Sequence, residues 1–235
     1  MSRIAIFVEG QTEKIFVERF LQEYLGGCQI EIEFQKRLGK TLTKVTGIRH
    51  NPFAEYHFSI IDMTGDSNVF SALYERAEQM MQRGYAYLLG VRDVYPQYTR
   101  DKIPIILRDL RKLFSRFSFG DRLKPIFAIM EIEAWFLADY KVFSRINSSI
   151  TPEFVKKQLN IDLLQTNPQS YEHPSSIVNK IFNLFGETYK KREKQSYQIV
   201  YRLDYGFLVC SEEVLNKVSS WKYFLDCIHE SASSE

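Results

Sequence analysis

The sequence predicts an α/β protein: a mainly parallel sheet flanked by helices, followed by a mostly helical C-terminal part. Two observations carry this. Up to about residue 140, apolar runs of strand length alternate with stretches of helical periodicity, the order expected of βα units around a parallel sheet. Several of those runs are continuous rather than alternating, as in strands covered on both faces. A chain of 235 residues that is 45% hydrophobic and 14% aromatic, with only 11 Gly and 7 Pro, also excludes disorder and low-complexity architecture.

The elements follow in order. Residues 4–8 (Ile-Ala-Ile-Phe-Val) form a continuous apolar strand, ended by Glu9-Gly10. From Gln11 to about Leu25 the apolar residues recur at helical spacing, and Gly26-Gly27 closes the helix. Residues 29–34 alternate Ile30, Ile32 and Phe34 with Glu31 and Glu33, which predicts a half-exposed strand near a sheet edge. A loop follows with Lys36, Arg37, Lys40, Lys44, Arg49 and His50, and no carboxylate lies between Glu33 and Glu55.

Residues 57–63 read as another strand, and 69–81 as an amphipathic helix. Residues 85–91 form a buried strand ending at Arg92-Asp93. A helix with Ile103, Ile106, Leu110, Leu113 and Phe117 on one face comes next, and 125–130 is the last clear strand. It runs into Glu131-Ile132-Glu133-Ala134-Trp135 and a helix ending near Asp139. Beyond Tyr140 helices dominate: 152–159, 177–185 started by His173-Pro174-Ser175-Ser176, and a last one from Ser211 or Ser220 to His229, with 231–235 as a frayed tail. The expected organisation is an α/β domain over 1–140 with a helical extension over 141–235 packed on it.

Charge and cysteine usage narrow the function classes. With 31 Lys+Arg against 29 Asp+Glu, the net charge of +2 does not by itself imply a nucleic-acid partner. Cys28, Cys210 and Cys227 are odd in number and form no metal-ligand pattern, which argues against a disulfide framework and a structural zinc. No apolar stretch has the length of a signal-peptide core or a membrane span, so the expected compartment is the cytoplasm, with no membrane partner.

Ligands of a doubly wound sheet sit outside the carboxyl ends of its strands. The residues ending the expected strands are Glu9, then Asp62 and Asp66, then Asp93, then Glu131 and Glu133, while Glu13 lies in the first turn after Glu9. Carboxylates gathered in this way repel one another unless a cation neutralises them, and hard oxygen donors suit Mg²⁺ or Mn²⁺. Individually, each could be a solvated loop residue, or in the case of Glu13 a helix-start residue. The cations of the 36–50 segment suit a phosphate backbone, and a solvated loop is the competing reading.

The stretch Ile6-Phe7-Val8-Glu9-Gly10-Gln11-Thr12-Glu13 resembles the opening of the Toprim fold. That fold is the Rossmann-like catalytic module of topoisomerases, primases, ribosomal-RNA-processing nucleases and the overcoming-lysogenization-defect nucleases. Leu88-Leu89-Gly90-Val91-Arg92-Asp93-Val94-Tyr95 stands where that family carries an Asp-x-Asp pair, with Tyr95 replacing the second aspartate. The stretch 127–139, containing Glu-x-Glu-Ala-Trp, and the later His173-Pro174-Ser175-Ser176 and Tyr189-Lys190-Lys191 resemble blocks of a Toprim-like family often encoded beside ATPases.

The resemblance implies a nuclease that cleaves DNA or RNA phosphodiesters with Mg²⁺ or Mn²⁺. Glu9, Asp93 and Lys190 would be catalytic, with Lys191 a second candidate cation. Glu9, Glu13, Asp93, Glu131 and Glu133 would be metal ligands, and Lys36, Arg37, Lys40, Lys44 and Arg49 would contact nucleic acid. It also implies a prokaryotic anti-phage effector with an ATPase partner protein, and is compatible with a homo-oligomer. The alternative is a degenerate Toprim fold that binds or assembles without turnover, for which Tyr95 is the argument. A nucleotide-binding regulator is disfavoured, because no Gly-rich turn follows the first strand.

Overall fold

The computed structural model describes residues 2–26, 29–38, 41–45, 51–65, 68–191 and 194–233. Six strands form one sheet in the order β3-β2-β4-β1-β5-β6: β1 Ser2–Val8, β2 Ile30–Leu38, β3 Thr41–Lys44, β4 Tyr56–Asp62, β5 Tyr85–Asp93 and β6 Leu123–Ala128. Every neighbouring pair is parallel except β2 and β3. The chain leaves β1 toward β2 and β4 on one side and then crosses to β5 and β6 on the other. The topological switch point therefore lies between β1 and β5.

Strand β1 shows why the continuous apolar run was needed. Ile4, Ile6 and Val8 point into one core, and Ala5 and Phe7 into the other. The first core packs against α1 (Gln11–Tyr24), α4 (Glu133–Ala138) and the C-terminal helices, and the second against α2 (Val69–Gln82) and α3 (Ile103–Phe114). Gly90 in β5 lets α2 come close: a Cβ there would lie 3.1 Å from side-chain carbons of Val69, Phe70 and Leu73.

After α4 the chain is helical: α5 Val142–Ile146, α6 Pro152–Leu159, α7 Pro174–Asn183, α8 Lys194–Val200, α9 Tyr205–Cys210, α10 Glu212–Lys217 and α11 Ser219–Ser233. One apolar cluster contains residues from both sides of position 140. Its aromatic centre joins Phe16 and Phe20 of α1, Trp135 of α4, and Trp221 and Phe224 of α11. The Trp135 indole N–H is satisfied by Ser220 Oγ at 2.8 Å, and that hydroxyl donates to Gln169 Oε1 at 2.6 Å.

Three expectations need correction. The strand at 29–34 is not half-exposed: Ile30, Ile32 and Phe34 lie in the first core, and Glu33 on the other face is buried beside His57 and Lys44. Lys36, Arg37 and Lys44 do not lie on a loop; they belong to the antiparallel β2–β3 pair, in which Lys36 faces Thr43 and Gln35 faces Lys44. Lys40, Arg49 and His50 lie outside the described residues. The expected frayed tail is helical through Ser233, and Ser231 is buried with its hydroxyl donated to the Ile228 carbonyl. No described helix is long and apolar enough to cross a membrane.

Candidate functional site

The carboxyl ends of β1, β5 and β6 bring the expected acids together. Glu9 follows β1, and Glu13 lies in the first turn of α1 with its carboxylate accepting its own backbone N–H. Asp93 ends β5 and is 5% exposed. Its Oδ1 accepts the Ile132 N–H at 2.8 Å, and its Oδ2 accepts from Lys191 Nζ at 2.7 Å. Beyond β6, Met130 takes a left-handed backbone (φ 65°), a conformation that L side chains adopt at a cost, in the turn that delivers Glu131 and Glu133.

Glu131 is held by the start of α7. Its Oε2 accepts the Ser175 N–H at 2.7 Å and its Oε1 the Ser175 hydroxyl at 3.0 Å, so the helix terminus supplies donors to an acid. Glu133 is completely buried; its Oε1 accepts from the Tyr189 hydroxyl at 2.7 Å, and its Oε2 lies 3.0 Å from Lys191 Nζ. The Tyr189 N–H donates to Asn179 Oδ1 at 2.9 Å, which fixes the 189–191 segment against α7. On the far side of this segment, Ser196 of α8 is fully buried, 3.5 Å from Thr12 Oγ1 of α1.

Lys191 is thus the hub: its ammonium lies 2.7 Å from Asp93, 3.0 Å from Glu133 and 3.5 Å from Glu131. Lys190, expected as the catalytic cation, is instead exposed, and its carbonyl accepts from Ser196 Oγ. Of the two lysines, Lys191 is the one that faces the acids.

The electrostatics follow from burial. Asp93 is pushed up to about 7 chiefly by burial, with Glu13 and Glu9 adding and Lys191 opposing. Glu133 is also pushed to about 7, by burial first and then by Asp93 and Glu131, again against Lys191. Burial raises Glu13 too, and Glu133 and Glu9 add to it. Burial alone would lower the Lys191 ammonium, but Asp93, Glu133, Glu13 and Glu131 together hold it well above the usual lysine range. Near neutral pH the centre therefore attracts protons or cations.

Other expected residues act elsewhere. Asp62 Oδ1 accepts the Thr64 N–H at 2.7 Å and closes the turn after β4, while Asp66 lies outside the described residues. Tyr95 is 40% exposed, and its ring packs edge-on against His173 at 4.5 Å. Among the described residues, no group of three Asp, Glu, His or Cys stands ready as a metal site. The acids converge on the Lys191 ammonium.

The basic β2–β3 pair reaches the same sheet edge. Lys36 stands level with Asp62 of β4, which stands level with Val8 of β1, so Lys36 lies two strand spacings from β1, about 10 Å. Lys44 pairs with Glu33 at 3.0 Å. On the α2 face, Arg3, Lys44, Arg76 and Arg83 line a cavity of about 590 Å³ together with Glu33. Burial, Arg37 and Arg83 all push the Arg76 guanidinium down.

Fold and site together define an α/β protein with a buried carboxylate–lysine centre at the switch point of a mainly parallel sheet. Over residues 8–218 the chain matches the family described as Domain of unknown function (DUF4276), and it belongs to that family. No curated protein and no solved structure matches it.

Proposed function

We propose that the chain is a metal-dependent nuclease of Toprim type, using Mg²⁺ or Mn²⁺ to hydrolyse phosphodiesters, and acting in the cytoplasm as a defence effector with an ATPase partner. The observation that carries the chemistry is the convergence of Asp93, Glu131 and Glu133 on Lys191 at the switch point, with Glu13 in reach of the same ammonium and Glu9 beside Glu13 and Asp93. The ATPase partner and the defence role rest on the family resemblance alone.

The donor set is all carboxylate, which fits a hard divalent cation, and burial raises Glu13, Asp93 and Glu133 in a way that a bound cation would reverse. Because no three described acids stand at metal-ligand spacing, Glu9, Glu13 and Asp93 would have to close up to hold the cation, with Asp93 giving up Lys191; when bound, the cation would polarise the phosphate and lower the pKa of water. Glu131 and Glu133 keep Lys191 charged and aimed. Lys191 stabilises the negative charge that grows on the phosphoryl oxygens as a water oxygen adds to phosphorus. Glu9 takes the proton from that water, and the departing ester oxygen leaves with a proton from solvent or an adjacent acid. Lys36 would hold a backbone phosphate beside the centre, and Arg37 and Lys44 would hold others further along the β2–β3 pair, each contact adding salt-dependent affinity.

The test is cleavage of plasmid, single-stranded and duplex DNA oligonucleotides and tRNA, with Mg²⁺, Mn²⁺ or EDTA. Cleavage that needs metal and disappears in Glu9→Ala is the expected result. No cleavage of any substrate by the wild type, with or without the ATPase, would overturn the reading.

A second reading is favoured by one observation. Lys191 neutralises Asp93, Glu131 and Glu133, and Tyr95 stands where Toprim enzymes carry an acid, which is what a non-catalytic binding subunit would retain. Calorimetry with Mg²⁺ and Mn²⁺ separates the two. A catalytic centre binds metal in a manner lost in Asp93→Asn, and an inert one shows no Asp93-dependent heat.

A further inference from the structure

A line of side chains leads away from the carboxylate–lysine centre along α8. Gln11, two residues past Glu9, donates from Nε2 to the Tyr197 hydroxyl at 3.4 Å. Tyr197 and Tyr201 lie one helical turn apart, with ring centroids 6.2 Å apart and planes inclined by 36°. Both are exposed, at 43% and 52%, although tyrosine rings normally shed much of their apolar area into a core. The Arg19 guanidinium stands 5.0 Å from the centre of the Tyr201 ring.

The line ends in a cavity of about 650 Å³ lined by Arg19, Tyr201, Arg202, Arg145 and Tyr205. Arg145 ion-pairs with buried Asp139 and donates from Nε to the Arg202 carbonyl at 2.6 Å, so it fixes the backbone of Arg202. The Arg202 side chain is exposed. Glu23 and Asp204 share the cavity; Glu23 pairs with Arg19, and Asp204 Oδ1 is engaged by the Phe207 N–H at the start of α9. These acids orient neighbours and leave Arg202 to face solvent.

Exposed tyrosines at this spacing, flanked by guanidinium groups, match what successive unpaired bases and their phosphates need. Base faces stack on aromatic rings, and phosphates accept the forked donors of arginine. A duplex hides its base faces and cannot use such a platform. We infer that α8 and the cavity behind it form a track for single-stranded nucleic acid, with Tyr197 and Tyr201 stacking bases, Arg19 and Arg202 holding phosphates, and the strand entering the carboxylate–lysine centre beside Gln11.

This inference rests on the nuclease reading for its direction toward the centre, but its binding test does not. Fluorescence anisotropy in EDTA, where no cleavage occurs, would follow a labelled 12-nucleotide single strand of DNA or RNA and a duplex of the same sequence. The wild type should bind the single strands at least about ten-fold tighter than the duplex. Tyr201→Ala should lose about ten-fold of single-strand affinity, the scale of one base–aromatic stack, while Tyr201→Phe should stay within about two-fold of the wild type. Arg202→Ala should reduce the slope of log affinity against log salt by about 0.7, one phosphate contact on a single strand.

Equal binding of duplex and single strand overturns the inference, as does a Tyr201→Ala that binds like the wild type while melting normally. If that variant melts early, an unchanged salt slope in Arg202→Ala overturns it instead. Selective binding without metal-dependent cleavage removes the nuclease reading and keeps the track. Cleavage that is indifferent to both tyrosines removes the track and keeps the nuclease.

Discussion

Lys191 Nζ donates to Asp93 Oδ2 at 2.7 Å, joining the end of a central strand to a segment 98 residues further along the chain. Asp93 Oδ1 is meanwhile held by the Ile132 N–H. Both oxygens of one carboxylate therefore register two separate parts of the chain against β5. The same ammonium serves Glu133, which has no exposure to water at all. Such a carboxylate stays ionised only with a partner, because a lone buried charge is costly and otherwise takes up a proton.

Removing that partner should be severe. Lys191→Met leaves Asp93, Glu131 and Glu133 facing one another, and breaking a buried ion pair in this way costs about 3–5 kcal/mol. Calorimetric melting at pH 8 in EDTA should show the loss, and millimolar Mg²⁺ should restore part of it by supplying a second counter-charge.

Stability should rise on mild acidification. Asp93 and Glu133 titrate at about 7 in the folded chain, and Asp139 at about 6, against ordinary values of 3.8 to 4.5. Between those limits the folded chain holds protons that the unfolded chain has released. Their contribution is therefore complete below the ordinary values and is lost as pH rises through about 6 to 7. In EDTA, the melting midpoint should be higher at pH 5.5 than at pH 8, by roughly 2–4 °C per kcal/mol released. Glu133→Gln should flatten the upper part of that profile.

Gly90→Val should destabilise through overpacking. The added carbons would press on Val69, Phe70 and Leu73, already 3.1 Å from the position of a Cβ, at a cost of about 1–3 kcal/mol. Urea denaturation should show a lower midpoint with an unchanged slope.

Ser220→Ala should cost about 1–3 kcal/mol, because the buried Trp135 indole N–H loses its acceptor. Near-ultraviolet circular dichroism would report the changed environment of Trp135 alongside the melting curve.

Much of this architecture was legible in the residues. Continuous apolar runs marked β1 and β5, and reading the residue after each strand found Glu9, Asp93, Glu131 and Glu133, since a parallel sheet presents those ends to one edge. Strand β3 was not legible: four residues, Thr-Leu-Thr-Lys, flanked by cations, look like a loop until the edge of β2 supplies their hydrogen bonds. The choice between Lys190 and Lys191 was equally hidden. The segment between α7 and α8 has no periodicity to say which side chain turns inward, and only the Tyr189–Asn179 and Tyr189–Glu133 bonds decide it. Asp62 carried the same strand-end signal as Asp93 but serves the turn after β4, a local use that spacing cannot distinguish from ligation.

The position of Lys191 also sets an order of events during synthesis. Every carboxylate of the centre lies at or before residue 133, so the ribosome releases the acidic half first. The lysine follows some sixty residues later, and the helix that backs it later still. A nascent chain therefore passes through a stage in which the sheet can pair its strands while the centre remains incomplete. The centre gains its full arrangement only as the last third of the chain docks.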